Sequence, residues 1–287
     1  MKVWIEAARP RTLPAAVVPV LVGTAAGGIF LPWRFAGALA VALSLQVAVN
    51  YANDYFDGVR GVDTPDRLGP RRAVASGLVR PAQMKVATAL ALAVAGAAGV
   101  ALTVAVGPEL LLVGAASIAA ALAYSGGPRP YASAGLGEVF VFVFFGPVAT
   151  IGTAYVQAEV VSLPAVVASI PVGLLAAAIL VVNNLRDVDT DAAAGKRTLA
   201  VRLGERGTRR LFAGLVTGAA AGAVVTALVE GEPVDALYVT LPFVSLGAVV
   251  VDRVNRSDGR DLVPCLGLTA LLHLLFGIST GAVLWWR

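Results

Sequence analysis

The sequence predicts an all-α fold, a polytopic membrane bundle of about nine transmembrane helices, and three observations carry that expectation. Hydrophobic residues make up 58% of the 287 residues and charged ones 14%, against roughly 45–50% and 25% in an ordinary soluble domain. Long uncharged stretches recur; the one from Val86 to Pro108 holds no Lys, Arg, Asp or Glu. The charges that do occur are concentrated in the links between such stretches. A soluble domain of this length would have to cover its surface with ionic groups, so a soluble enzyme and a disordered chain are both disfavoured.

A helix needs about 20 mostly apolar residues to cross the hydrocarbon core of a bilayer. Nine runs approach or meet that length: 13–31, 35–55, 83–106, 109–126, 136–157, 163–184, 209–229, 235–251 and 265–286. Pro19 lies inside the first, Pro147 inside the fifth, Pro171 inside the sixth and Pro242 inside the eighth. Neighbouring helices in a bundle satisfy the backbone groups that a proline frees, so these residues leave the assignments standing. The 31 glycines, together with abundant alanine, let transmembrane helices approach one another closely. Nothing marks a separate soluble domain: residues 1–287 are expected to form one membrane domain of two related halves, about 1–126 and 127–287.

Nine spans put the N-terminus and the even-to-odd links on one side. That side takes all the Lys and Arg except Arg34 and Arg287, twenty of the 22. By the positive-inside rule it is the cytoplasmic side, with the C-terminus outside. The +4 formal charge is therefore topological, which removes the main argument for a nucleic-acid partner. Two links on this side are long and charged, Phe56–Ala82 and Arg186–Thr208, whereas those on the other side are short. The lone Cys265 and lone His273 exclude an internal disulfide and a Cys₄ or Cys₂His₂ zinc site, and both read as packing residues.

The second span ends in Asn50-Tyr51-Ala52-Asn53-Asp54-Tyr55-Phe56-Asp57, followed by Asp63; the sixth ends in Asn183-Asn184-Leu185-Arg186-Asp187-Val188-Asp189-Thr190-Asp191. Helical spacing places Asn53 and Asp57 on one face, and Asn183, Asp187 and Asp191 in one column. Asn53–Asp57 recurs as Asn183–Asp187 at an offset of 130 residues, as expected of two similar halves. Like charges at this spacing repel, and partly buried carboxylates cost more unless paired. A divalent cation removes the repulsion, and Mg2+ is commonly held by one or two carboxylates plus substrate phosphates. Two facing sets suit two or more Mg2+ ions around a diphosphate. Arg67, Arg71, Arg72, Lys196 and Arg197 are then candidates for the remaining phosphate oxygens. The alternative is a set of solvated helix-end charges with arginines that serve topology and contact membrane lipid.

A diphosphate stabilised in this way is a good leaving group, and an allylic carbon left behind needs a dry, apolar pocket. A lipid-embedded bundle supplies that pocket, which points to a prenyl diphosphate as donor and a quinone-type ring as acceptor.

The segments NDYFDGVRGVD and DVDTD resemble the two aspartate-rich motifs of the UbiA superfamily of membrane prenyltransferases, and the nine-helix arrangement agrees with that family. ARPRTLPAAVVPVLVGTA from Ala8, NYANDYFDGVRGVD from Asn50, RLGPRRAVASG from Arg67 and YSGGPRPYASAGLGEVFVFVFFG from Tyr124 resemble its 1,4-dihydroxy-2-naphthoate branch. The resemblance implies Mg2+-dependent transfer of a polyprenyl group from polyprenyl diphosphate to 1,4-dihydroxy-2-naphthoate. That reaction proceeds with decarboxylation and gives demethylmenaquinol, at a prokaryotic plasma membrane.

Carried over by position, Asn53, Asp54, Asp57, Asp187 and Asp191 hold Mg2+ and diphosphate, with Asp57 and Asp187 central to catalysis. Gly61 stands where the broad family has its last Asp, and Asp63 is the candidate replacement. Tyr124 and Arg129 occupy the region of a family tyrosine and cation near the substrates, although Tyr124 also fits a plain packing role. Arg9 and Arg11 suit either the acceptor carboxylate or anchoring of the first helix. Gly195-Lys196-Arg197-Thr198 suits diphosphate clamping, and Asn50, Asn183 and Asn184 complete the substrate-binding candidates. Two alternatives stay open, another aromatic acceptor such as 4-hydroxybenzoate or homogentisate, and a transporter. Acidic clusters at helix ends on one side fit a transporter poorly, since its site is expected near the bilayer midplane.

Overall fold

A computed structural model of the chain describes residues 1–61, 68–69, 71–230 and 233–286. Among these every regular element is helical. After α1 (Lys2–Ala7) and a 3₁₀ turn come α2 (Pro14–Gly27), α3 (Pro32–Val59), α4 (Pro81–Val106) and α5 (Glu109–Ser125). Then follow α6 (Gly137–Val143) and α7 (Ala149–Ala158), joined by a π-turn, α8 (Leu163–Arg186), α9 (Val188–Ala193) and α10 (Leu199–Glu230). The chain closes with α11 (Pro233–Pro242) and α12 (Ala248–Arg256), joined by a second π-turn, and α13 (Leu262–Trp285).

Helical segments stand at all nine expected positions. Seven are long and apolar enough to cross a bilayer unaided; α2 and α5 are shorter. For α2 the reason is burial. Ten of its fourteen residues are buried, so protein rather than lipid satisfies its surroundings, and its helix ends where Gly28 takes φ 68°. The seventh span was expected to start at residue 209, yet α10 starts at Leu199 and kinks at Gly204 (φ 65°, ψ 174°). The 186–208 link is likewise shorter than expected, because α9 and the charged first turns of α10 occupy it. Hydropathy alone misses helical turns that project beyond the apolar slab.

The centre of the bundle is α8, against which α2, α6, α7, α10 and α13 pack. Ser162 caps it, accepting a bond from the Ala165 amide and donating its hydroxyl to the Ala26 carbonyl. A main core joins α2, α8, α10 and α13 through residues such as Val18, Val172, Leu175, Phe212, Leu272 and Phe276. On the other flank α3 pairs with α4, and α5 packs on both. The interior prolines are accommodated as expected: Pro147 lies inside the π-turn Phe144–Val148, and Pro242 immediately precedes the π-turn Phe243–Gly247.

One close approach sets where the first π-turn lies. A Cβ on Gly146 would stand 2.7 Å from the Ser169 carbonyl oxygen, and one on Gly173 2.7 Å from that of Phe142. The two glycines therefore let the turn lie directly on α8. Gly173→Val is expected to force these backbones apart at a cost of about 1–3 kcal/mol. The detergent-solubilised variant should melt clearly below wild type, and an unchanged melting temperature would contradict the close packing.

Candidate active site

Two cavities meet end to end in the bundle. The larger, about 260 Å³, has walls of α2, α3, α4, α5, α6, α7 and α8, among them Ala16, Val20, Leu45, Leu102, Phe144 and Ile179. The smaller, about 40 Å³, is polar and takes its walls from the ends of α3, α5 and α8, from α9 and the following turn, from the α5–α6 link and from Arg72. Asn53, Tyr124 and Asn183 line both cavities, so the junction is made of two amides and a phenol.

Of the sequence-derived candidates, Asn53, Asp57, Tyr124, Asn183, Asn184, Asp187, Asp191 and Lys196 line the polar cavity together, with Arg72 and Thr198. Asn53 and Asp57 come from α3. Asn183 and Asn184 come from the last turn of α8, which ends at Asp187 with φ −97° and ψ 10°. The chain resumes as α9, and the Asp191 amide still donates to the Asp187 carbonyl at 2.8 Å. The break thus keeps Asn183, Asp187 and Asp191 on one wall even though they do not share one helix.

Each buried carboxylate has a specific partner. Lys196 Nζ lies 3.1 Å from Asp57 Oδ2 and 3.5 Å from Asp191 Oδ1, which ties the end of α3 to α9. Arg72 Nη2 stands 3.7 Å from the same Asp57 oxygen. Arg186 grips Asp187 through two bonds, Nε to Oδ1 at 2.8 Å and Nη2 to Oδ2 at 2.6 Å, and Nη2 also donates to Asn183 Oδ1 at 3.0 Å. Arg186 and Arg72 are buried like the carboxylates they meet, so these are pairs whose breaking leaves an uncompensated charge.

Asp54 takes a different place from the other acids. It is buried yet lines neither cavity. Its Oδ2 accepts from the Ala73 amide at 2.9 Å and its Oδ1 from the Val74 amide at 2.8 Å, so both oxygens hold down the turn that carries Arg72. Arg71, Arg129 and Arg197 are exposed and line neither cavity. The backbone of Arg197 is engaged, its amide donating to the Ser133 carbonyl at 2.9 Å and its carbonyl accepting from Arg202 Nε at 3.1 Å. Asp63 and Arg67 lie outside the described residues.

Arg9 and Asn50 belong to the larger cavity. Arg9 has a left-handed backbone, φ 53°, a conformation that costs a non-glycine residue of order 1–3 kcal/mol. Surrounding bonds hold it: Thr12 Oγ1 donates to the Arg9 carbonyl at 2.9 Å, Asn50 Nδ2 to the Ala8 carbonyl at 2.8 Å, and Gln46 Nε2 to Thr12 Oγ1 at 3.1 Å. Beside the junction, Tyr131 stacks on Phe140 at 4.0 Å, meets Tyr124 edge-on at 5.5 Å and donates to the Ala120 carbonyl at 2.9 Å. Burial, then the neighbouring Tyr124, pushes the Tyr131 hydroxyl up from its ordinary pKa.

Sequence reasoning missed Arg186, which grips Asp187, Ser133, which lines the polar cavity, and Glu138, whose carboxyl oxygen accepts from the Asn184 amide. Arg186 was counted as a topological charge, and nothing in its spacing shows that it turns inward. Glu138 did leave a signal, as the only charged residue between Arg129 and Glu159 in an otherwise apolar run.

The fit to a divalent cation can be judged from the donor set. Among the described residues no three carboxylates converge on one point. Oxygen donors from Asn53, Asp57, Asn183, Asn184, Asp187 and Asp191 nevertheless share one small cavity. Mg2+ suits this arrangement, since it takes one or two carboxylates and completes its octahedron with waters and phosphate oxygens.

Comparison with family models matches residues 16–281 to the UbiA prenyltransferase family. The chain is 44% identical over 284 residues, 98% of its length and 96% of the relative's, to 1,4-dihydroxy-2-naphthoate octaprenyltransferase of Mycobacterium tuberculosis. It is 42% identical over 224 residues, 75% and 73% of the two lengths, to the protein of the same name from Escherichia coli. Among solved structures, an apo UbiA homolog from Aeropyrum pernix K1 superposes with a TM-score of 0.71 at 19% identity, covering 94% of this chain and 96% of that one. A UbiA homolog from Archaeoglobus fulgidus bound to DMAPP and Mg2+ gives 0.67 at 14% identity, covering 97% and 99%. At those identities the structures bear on the fold alone.

The two amide bonds to Asp54 are charge-assisted and worth roughly 1.5–3 kcal/mol each. Asp54→Ala is expected to release the 71–79 turn. Limited proteolysis in detergent should cut there much faster than in wild type, and equal cutting rates would contradict the anchoring role.

Proposed function

The chain belongs to the UbiA prenyltransferase family, as an integral membrane prenyltransferase, and from that membership we propose that it transfers a polyprenyl group from polyprenyl diphosphate to 1,4-dihydroxy-2-naphthoate. Diphosphate and carbon dioxide are released, and the product is demethylmenaquinol. The observation that carries the donor half of this reading is the direct junction of a small polar cavity with a larger apolar one. A prenyl diphosphate has the same two-part chemistry, an anionic head and a hydrocarbon tail. The acceptor half rests on the relatives, which share 42–44% identity with this chain and are named for that naphthoate.

In this reading Asp57, Asp187 and Asp191, with the amide oxygens of Asn53 and Asn183, hold Mg2+ against the diphosphate. The bound ion supplies Lewis-acid stabilisation of the charge that grows on the leaving group. Lys196 and Arg72, already beside Asp57, turn their remaining N–H groups to the diphosphate oxygens. Arg186 fixes the position of the Asp187 carboxylate through its two-pronged bond. The walls of the large cavity keep water from the allylic carbon, which would otherwise be hydrolysed. Tyr124, at the junction, is placed to hydrogen-bond an acceptor hydroxyl, and Arg9 supplies a cation for the acceptor carboxylate from within the same cavity. The concentration of basic residues on that side supports a cytoplasmic position for the polar cavity, and the proposed location is a plasma membrane.

Asp57→Asn and Asp187→Asn should each lower transfer at least about 100-fold, as expected for loss of a charge that stabilises the transition state, in a protein that still folds but melts below wild type, since a buried cation is left uncompensated. Rates close to wild type for both would overturn the metal–diphosphate reading. The assay is purified protein in detergent with a labelled prenyl diphosphate, Mg2+ and a panel of aromatic acids. Chelation of the divalent cation is expected to abolish product. Prenylation of 4-hydroxybenzoate but not of dihydroxynaphthoate would replace the acceptor and keep the class.

A further inference from the structure

Glu138 sits at the start of the fifth span and is 7% exposed. A carboxyl group in that position is costly, and in a membrane protein an acidic residue facing the bundle interior usually has work to do. Its Oε1 accepts a hydrogen bond from Asn184 Nδ2 at 2.9 Å. Among the described residues its buried Oε2 meets no donor from another residue. Asn184 in turn lines the polar cavity alongside Asp187 and Asp191, whereas Glu138 does not.

An asparagine amide has two unlike ends, an NH₂ that donates and a carbonyl oxygen that accepts. A carboxyl oxygen that takes the NH₂ of Asn184 leaves the carbonyl oxygen as the end available to the cavity. That polarity matters chemically. An NH₂ turned inward would favour a diphosphate oxygen, whereas a carbonyl oxygen favours a cation.

We propose that Glu138 is a positioning residue that fixes the amide of Asn184, so that the Asn184 carbonyl oxygen serves as a ligand for the divalent cation rather than as a donor to diphosphate. The inference rests on the reading of the polar cavity as a metal–diphosphate site. It makes Glu138 an outer partner of the cation site, of the kind whose loss typically weakens metal affinity 10–100-fold.

The test follows the Mg2+ concentration needed for half-maximal thermal stabilisation of the detergent-solubilised full chain by geranyl diphosphate, and in parallel kcat and KM. Glu138→Leu should raise the required Mg2+ at least about tenfold, while Glu138→Gln, which keeps an acceptor at that position, should stay within about threefold of wild type. If Glu138 acts through Asn184, adding Glu138→Leu to Asn184→Leu should cost little beyond Asn184→Leu alone. Should the leucine variants not fold, the exchange Glu138→Gln with Asn184→Asp restores the bond with donor and acceptor reversed. It should bring the required Mg2+ closer to the wild-type value than Asn184→Asp alone, in which two carboxylates face one another without the donor between them.

Additive losses in the double leucine variant, a Gln variant as impaired as the Leu variant, or an exchange that recovers nothing would each overturn the positioning role. Asp187→Asn separates the two levels. If it loses Mg2+-dependent stabilisation while Glu138→Leu retains it, the positioning role fails and the site reading stands. If wild type shows no such stabilisation, the site reading fails and takes this inference with it.

Discussion

Carboxylates at the rim of a lipid-embedded bundle are stable only if each has a partner, and the arrangement around Lys196 is where that requirement shapes the protein most. Its ammonium group lies between Asp57 of α3 and Asp191 of α9, so the ends of two distant segments are drawn to one point. Removing a charge from water costs several kcal/mol even after relaxation, and the mutual attraction of the pair offsets this only with good geometry. The bundle meets the requirement in three ways. Asp57 and Asp191 share a lysine, Asp187 takes a two-pronged arginine, and Asp54 takes two backbone amides.

These solutions separate acids that look alike in sequence. Asp54 and Asp57 are three residues apart on one helix, yet the first is committed to holding the 71–79 turn and the second faces the polar cavity. Their roles are linked, because the turn held by Asp54 delivers Arg72 to Asp57. Arg186 and Asp187 are adjacent in the chain and bonded to one another, which turns a helix end into a fixed wall of the site. On the proposed reading such pairing also prepares the site for exchange of partners: a cation against Asp57 and Asp191 would relieve their repulsion in place of Lys196 and free the lysine for an anion.

The large cavity follows from packing rather than from charge. Central α8 is approached closely by the π-turn through Gly146 and Gly173, while α5 leans on α3 and α4. The space left between these groups is lined mainly by aliphatic and aromatic side chains, and it opens at one end onto Asn53, Tyr124 and Asn183. An apolar and a polar environment are joined there, and on the wall of the larger cavity Arg9 is held in a costly left-handed conformation by Thr12 and Asn50.

The sequence by itself determined the all-helical membrane fold, the positions of the nine helical segments and the two acidic helix ends, because these depend on local hydropathy and on spacing within a helix. Asn53, Asp57, Asn183, Asp187 and Asp191 were legible for the same reason, as was Lys196 just after the second cluster. The tertiary structure alone decided that Asp54 turns to a loop, that Arg71, Arg129 and Arg197 stay exposed while Arg72 and Arg186 are buried, and that Glu138 reaches Asn184. Each of those outcomes depends on which distant backbone or side chain fills the space opposite. Spacing along one helix fixes the direction in which a side chain leaves its own backbone, and says nothing of what waits at the other end.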